Sequence, residues 1–195
     1  MKRIYFIIIC FAIVLCYISC KTLYGIKPQK SVSPEQINNF YLQLPLKEFK
    51  KATVDSTFLF WMKKTYAKDT TQLRYHLQPL QALYFDSDEN LISFHVNCNA
   101  GGFPNLQWNR NNVFNKFPPA TQTKVDNLFE LQEFKKLVHL NEEKNSYDYS
   151  IVIFWNFFLE KQSRRLIDQV LDNVKLTNKK INLIFVNNDN LFLEK

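Results

Sequence analysis

The sequence predicts a mixed α/β fold, in which N-terminal helices and a β-hairpin precede a strand–helix–strand unit with two parallel strands. Three observations predict it. Two nearly continuous apolar runs, "YSIVIFWNFF" and "INLIFVNND", bracket Lys161 to Leu176, where Leu166, Ile167, Val170, Leu171 and Val174 recur at helical spacing. Such runs are strands covered on both faces, and a helical crossover between them makes a right-handed, parallel pair. Upstream, Leu80 to Phe85 and Leu91 to Cys98 flank the polar segment Asp86 to Asn90, the pattern of a hairpin.

At the start of the chain, Lys2 and Arg3 precede an uncharged apolar run from Ile4 to Ile18. It is shorter than the roughly 20 residues a helix needs to cross hydrocarbon, and it has the anatomy of a secretory signal. Ile18, Ser19 and Cys20 close the run, with Tyr17 where Leu is usual. This junction resembles that of bacterial lipoproteins, which implies cleavage before Cys20 and acylation of its sulfur. Residues 1–19 are then a signal peptide, 20–32 a tether, and 33–195 a single globular domain. The resemblance implies a bacterial cell-envelope address, with the chain anchored to the outer or inner membrane and facing the periplasm. Ordinary secretion and an uncleaved single span are the alternatives.

Cysteine usage fits that address. Cys10 and Cys16 lie in the apolar run, Cys20 takes the lipid, and Cys98 is left without an internal disulfide partner. A small hydrophobe buried in a strand is the expected role of Cys98. The competing hypothesis is a redox protein that uses Cys98 with a partner's thiol.

Loss of Lys2 and Arg3 takes the net charge from +7 to +5. The basic residues are scattered in twos and threes: Lys47, Lys50 and Lys51; Lys63 and Lys64; Arg164 and Arg165; Lys179 and Lys180. A nucleic-acid binder concentrates them in a stripe, so no nucleic-acid partner is expected. The expected partners are the membrane, through the lipid, and a protein of the envelope.

Along the domain, Ser33 caps a first helix with Pro34 at its first position and Gln36 at the capping-box spacing. Asp55 to Ala67 reads as a second helix, with Phe58, Trp61, Met62 and Tyr66 on its apolar face. The hairpin loop holds Asp86, Asp88 and Glu89, but it lacks the length, the glycine and the distal Glu of a calcium loop, and reads as a solvated turn. His95 and Cys98 fall on opposite faces of a strand, and with His76 and His139 far away in sequence no zinc signature forms. Gly101 and Gly102 open an irregular stretch that ends at Pro118 and Pro119. Within it, Trp108 and Phe117 are the candidates for an exposed recognition surface, with burial, the commoner fate of such residues, as the alternative. Asp126 to Leu140 is expected to be a helix carrying Leu128, Leu131, Phe134, Leu137 and Val138 on one face.

The segment "SIVIFWNFFLEKQSRR" resembles the start of the thioredoxin fold in exported, membrane-anchored thioredoxin-like proteins, over residues 126–190. The resemblance implies a three-layer sandwich, and the hairpin at residues 80–98 is a candidate to fill its antiparallel edge from the other side of the sequence. The family's two catalytic cysteines correspond to Leu159 and Gln162, neither of which forms a thiolate, so thiol–disulfide exchange has no nucleophile there. The chain has no G-x-S-x-G, phosphate-cradling glycine loop or H-E-x-x-H. The expectation is a binding or assembly module without catalysis, cofactor or metal. Open α/β sheets bind ligands beyond the carboxyl ends of their strands, which makes Asn156, Asn187, Asn188 and Asp189 the candidate binding residues.

Overall fold

A computed structural model of the chain describes residues 25–97, 107–140 and 147–193. Cys20 and Cys98 lie outside the described residues, as do Gly101 and Gly102. The fold is a five-stranded mixed sheet, formed by β1 (Lys50–Thr53), β2 (Gln81–Phe85), β3 (Leu91–Val96), β4 (Tyr149–Trp155) and β5 (Ile181–Asn187), in the order β1-β5-β4-β2-β3. The pairs β1–β5 and β5–β4 are parallel, whereas β4–β2 and β2–β3 are antiparallel. The hairpin therefore joins the parallel pair in one sheet, along the far side of β4.

Helices cover both faces: α1 (Pro34–Leu42), α2 (Ser56–Thr65), α3 (Thr70–His76), α4 (Leu131–Leu137) and α5 (Glu160–Val174). Alternation along β4 sends Ile151, Ile153 and Trp155 into a core shared with α1 and α5. Val152 and Phe154 enter a second core with Phe58 and Met62 of α2 and Phe134 of α4. With two faces to fill, β4 and β5 need apolar side chains at every step, which explains their unbroken runs. The Phe40 ring stacks on Trp155 at 3.8 Å, and Phe58 meets Phe154 at 5.6 Å.

Local signals account for most boundaries. Ser33 and Gln36 form the reciprocal capping box, with Pro34 in the first turn of α1. Asp55 accepts from the Thr57 N–H, and Asp69 from the Gln72 N–H, starting α2 and α3. In the hairpin turn, Asp86 Oδ1 accepts from the N–H groups of Asp88 and Asn90 at 3.0 and 2.9 Å, which occupies the carboxylate that a cation would need.

Three features depart from the sequence expectation. Strand β1 and helix α3 have no counterpart in the sequence pattern. The helix expected over Asp126 to Leu140 is confined to Leu131–Leu137, because Asp126 turns back to accept from the Leu128 N–H at 2.8 Å and so competes with the helical ladder. Leu128 is left 47% exposed, off the core face assigned to it. In the irregular segment, Asn111 and Asn112 both take φ of 60°, a left-handed conformation that Asn tolerates better than most residues.

The segment before α1 is exposed over residues 26–31 and is held to the domain at two points. Lys27 donates its N–H to the Phe158 carbonyl at 2.8 Å and pairs with Glu160, while Val32 packs on the α1 core. Among the described residues no helix is long and apolar enough to cross a membrane.

Candidate functional site

Strands β4 and β5 run parallel, with Trp155 opposite Asn187, so the chain leaves both at the same end of the sheet. This brings Asn156, Asn187, Asn188 and Asp189 together, as their positions predict. Asn156 Nδ2 donates to the Pro79 carbonyl and to Asn188 Oδ1, both at 3.0 Å, while its Oδ1 accepts from the Leu159 N–H at 2.9 Å. Asn188 Nδ2 donates to the same Pro79 carbonyl at 2.9 Å. The Asp189 carboxylate accepts from the Phe157 N–H at 2.9 Å and from Asn187 Nδ2 at 2.7 Å. Burial lifts the Asp189 carboxyl above the ordinary carboxylate range, against the pull of the Asn187 amide and the Phe157 and Phe158 N–H groups.

The expected binding crevice is therefore corrected. All four side chains are buried, and their polar atoms bond to one another and to backbone that would otherwise be orphaned. The cluster ties the β4–α5 turn, the end of β5 and the entry to β2 into one closed knot. Ser163 belongs to it: its Oγ accepts from the Asn156 N–H at 3.1 Å and donates to the Asn156 carbonyl at 2.8 Å, so this hydroxyl is held on both sides. Leu159 and Gln162 flank the knot and are buried as well.

The second candidate surface is also corrected. Trp108 is 4% exposed and belongs to the core beneath α5 together with Phe114, so it presents no recognition face. Its indole N–H is buried without a hydrogen-bond partner among the described residues. Phe117 is half-buried, edge-on to Tyr84 at 6.1 Å and to Tyr149 at 5.0 Å. The driving force is area: an indole or phenyl ring gains more from removal from water than a segment this irregular can supply elsewhere.

Two polar clusters that sequence reasoning missed lie within the cores. His76 Nε2 stands 3.2 Å from Asp126 Oδ2, and Tyr66 donates its hydroxyl to Asp126 Oδ1 at 2.9 Å. The imidazole stacks on Phe94 at 4.4 Å and on Tyr66 at 4.8 Å, with Nδ1 buried and unpartnered among the described residues. Burial pulls His76 below the usual imidazole range despite Asp126. Against its own burial, the bonds from His76, Leu128 and Tyr66 hold the Asp126 carboxyl below the usual carboxylate range. An Asp–His pair of this kind orients an imidazole, but among the described residues no hydroxyl or thiol is hydrogen-bonded to its other nitrogen. In the other cluster, Ser93 Oγ lies 3.1 Å from His95 Nε2, and both residues are buried. Burial pulls His95 down to about 4. His139 is exposed. Among the described residues no three His, Cys, Asp or Glu side chains converge to hold a metal ion.

Comparison with protein-family models, with curated proteins and with solved structures finds no match for this chain.

Proposed function

We propose that this chain is a lipid-anchored protein of the bacterial envelope, acting as a non-catalytic binding or assembly module on a thioredoxin-like sheet. The observation that carries the reading is the state of the turn after β4. A thiol–disulfide enzyme needs an accessible thiolate at the start of the following helix, whereas this turn holds Leu159 and Gln162, both buried. The neighbouring hydroxyl and amides are all engaged in the knot. The hairpin on the far side of β4 supports the thioredoxin-like reading, since it supplies the antiparallel edge that the resemblance requires. No nucleic acid or cofactor enters this reading.

The contact of Lys27 with the turn after β4 bears on the anchor. Cys20 precedes Gly25 by five residues, which span at most about 17 Å when fully extended. An acyl group on Cys20 would hold the strand-end face of the domain close to the bilayer. Two acyl chains suffice for stable attachment, at about 0.8 kcal/mol per buried methylene.

Membrane fractionation of Cys20→Ala beside the parent chain tests the reading. The parent should sediment with membranes and the variant should be released, while neither accelerates disulfide reduction in a model substrate. Membrane retention of the variant, or thiol-dependent turnover by the parent, would contradict it.

A further inference from the structure

The sheet ends at β1, whose outer edge no other strand covers among the described residues. The Val54 N–H bonds to the Asn187 carbonyl at 3.1 Å, so the amides of Ala52 and Val54 face β5. By strand alternation, the N–H and C=O groups of Phe49, Lys51 and Thr53 point away from the sheet. This is a ready ladder for one more strand.

Two grooves run along that edge and share Tyr41 and Lys51. One, of about 610 Å³, lies between the end of α1 and Phe49, and Lys47, Lys50 and Tyr147 also line it. The other, of about 460 Å³, continues past Ala52 and Thr53 between Ile37 and Val138. Their charge is one-sided, with Lys47, Lys50 and Lys51 against Glu48 alone among the acids. These lysines form no ion pair among the described residues. The Lys51 ammonium lies 5.2 Å from the Tyr41 ring and 5.6 Å from the Phe49 ring and donates to Asn38 Oδ1, which fixes it over the groove. Lysines on an edge strand discourage pairing with apolar or basic strands. The same charges favour a strand that carries carboxylates.

We propose that the open edge of β1 is a docking site for an extended acidic segment of a protein partner, which adds to the sheet as a sixth strand. Backbone hydrogen bonds to Phe49, Lys51 and Thr53 provide the ladder, and the carboxylates on the face of the added strand that turns toward α1 meet Lys51, with Lys47 beside the groove on the way in. The proposal rests on the reading of the chain as a binding module and names the class of partner.

The test is fluorescence anisotropy on the full chain in neutral detergent micelles, with a labelled octapeptide of alternating Glu and Val. Controls are the Lys–Val peptide and a Glu–Val peptide N-methylated at alternate residues. The Glu–Val peptide should bind at least about tenfold more tightly than either, and the Lys47→Glu, Lys51→Glu double variant should weaken it by a similar factor. Thr53→Pro removes an outward N–H without touching the bonds to β5, and should weaken peptide binding while leaving the melting temperature unchanged. Equal binding of the N-methylated peptide would reduce the edge to a charge patch and overturn the proposal. Lysine-dependent binding of phosphatidylglycerol vesicles without peptide binding would overturn it in favour of lipid headgroups. A homodimer abolished by Thr53→Pro would overturn it in favour of a second copy. Cys20→Ala should bind the peptide as the parent does, so failure of the lipid anchor and failure of the edge are separable results.

Discussion

Acid should weaken this fold mainly through a histidine too buried to take a second ring proton. His95 is 1% exposed, with Nε2 beside the Ser93 hydroxyl and its ring against Phe114 at 4.5 Å. Its pKa falls from 6.5 to about 4 on folding, because burial penalises the imidazolium. A histidine with a depressed folded value contributes its full stability above the unfolded pKa. As the pH drops below 6.5 the unfolded chain takes the proton first, so stability is lost progressively down to about 4. At about 1.36 kcal/mol per pKa unit, the loss across that window is on the order of 3 kcal/mol. His76 acts in the same direction, since its pKa is also lowered by burial. Urea unfolding at a series of pH values between 7.5 and 4.5 reads the slope, and His95→Gln should remove up to one proton's worth of it. Side-chain NMR of the folded parent should find His95 neutral at pH 5. A variant that keeps the whole slope, or a His95 titrating near 6.5 in the native state, would refute the reasoning.

Three further outcomes follow from packing and hydrogen bonds. Asn156→Ala leaves the Leu159 N–H without its acceptor and takes a donor from both Pro79 and Asn188, which should cost about 2–5 kcal/mol in denaturant unfolding. Phe154→Ala opens the core between β4, α2 and α4 and should cost about 3–5 kcal/mol by the same measurement. Ser33→Ala breaks the capping box of α1 and should cost about 1 kcal/mol, seen as a small drop in melting temperature.

The parts of the fold legible in the sequence are those whose signal is local. The capping box at Ser33, the hairpin around Asp86 and the apolar runs of β4 and β5 each carry their cause within a few residues. Strand β1 does not: "KKAT" has no apolar run, and it is a strand because β5 offers it a parallel edge. Helix α3 is equally silent, since it spans only seven residues and buries Gln72 and His76 where periodicity looks for apolar side chains. The apolar spacing overstates the length of α4 because it begins at Leu128, whereas the Asp126 carboxylate draws the backbone ahead of Leu131 out of the helix.

At the site, position was legible and state was not. That Asn156 and Asn187 to Asp189 meet follows from their places at the ends of two parallel strands. That they close on one another depends on the Pro79 carbonyl, which arrives from a segment far away in sequence. The His76–Asp126 pair is likewise separated by 50 residues, and nothing local marks either member. The docking edge proposed for β1 was invisible for the same reason that β1 was.

Mass spectrometry of the N-terminal peptide, from protein extracted out of bacterial membranes, tests the central claim of an acylated module most directly. The account predicts a peptide that begins at Cys20 and carries the mass of a diacylglycerol, with no trace of Met1. A peptide that retains Met1, or begins at Cys20 without fatty acid, would contradict it.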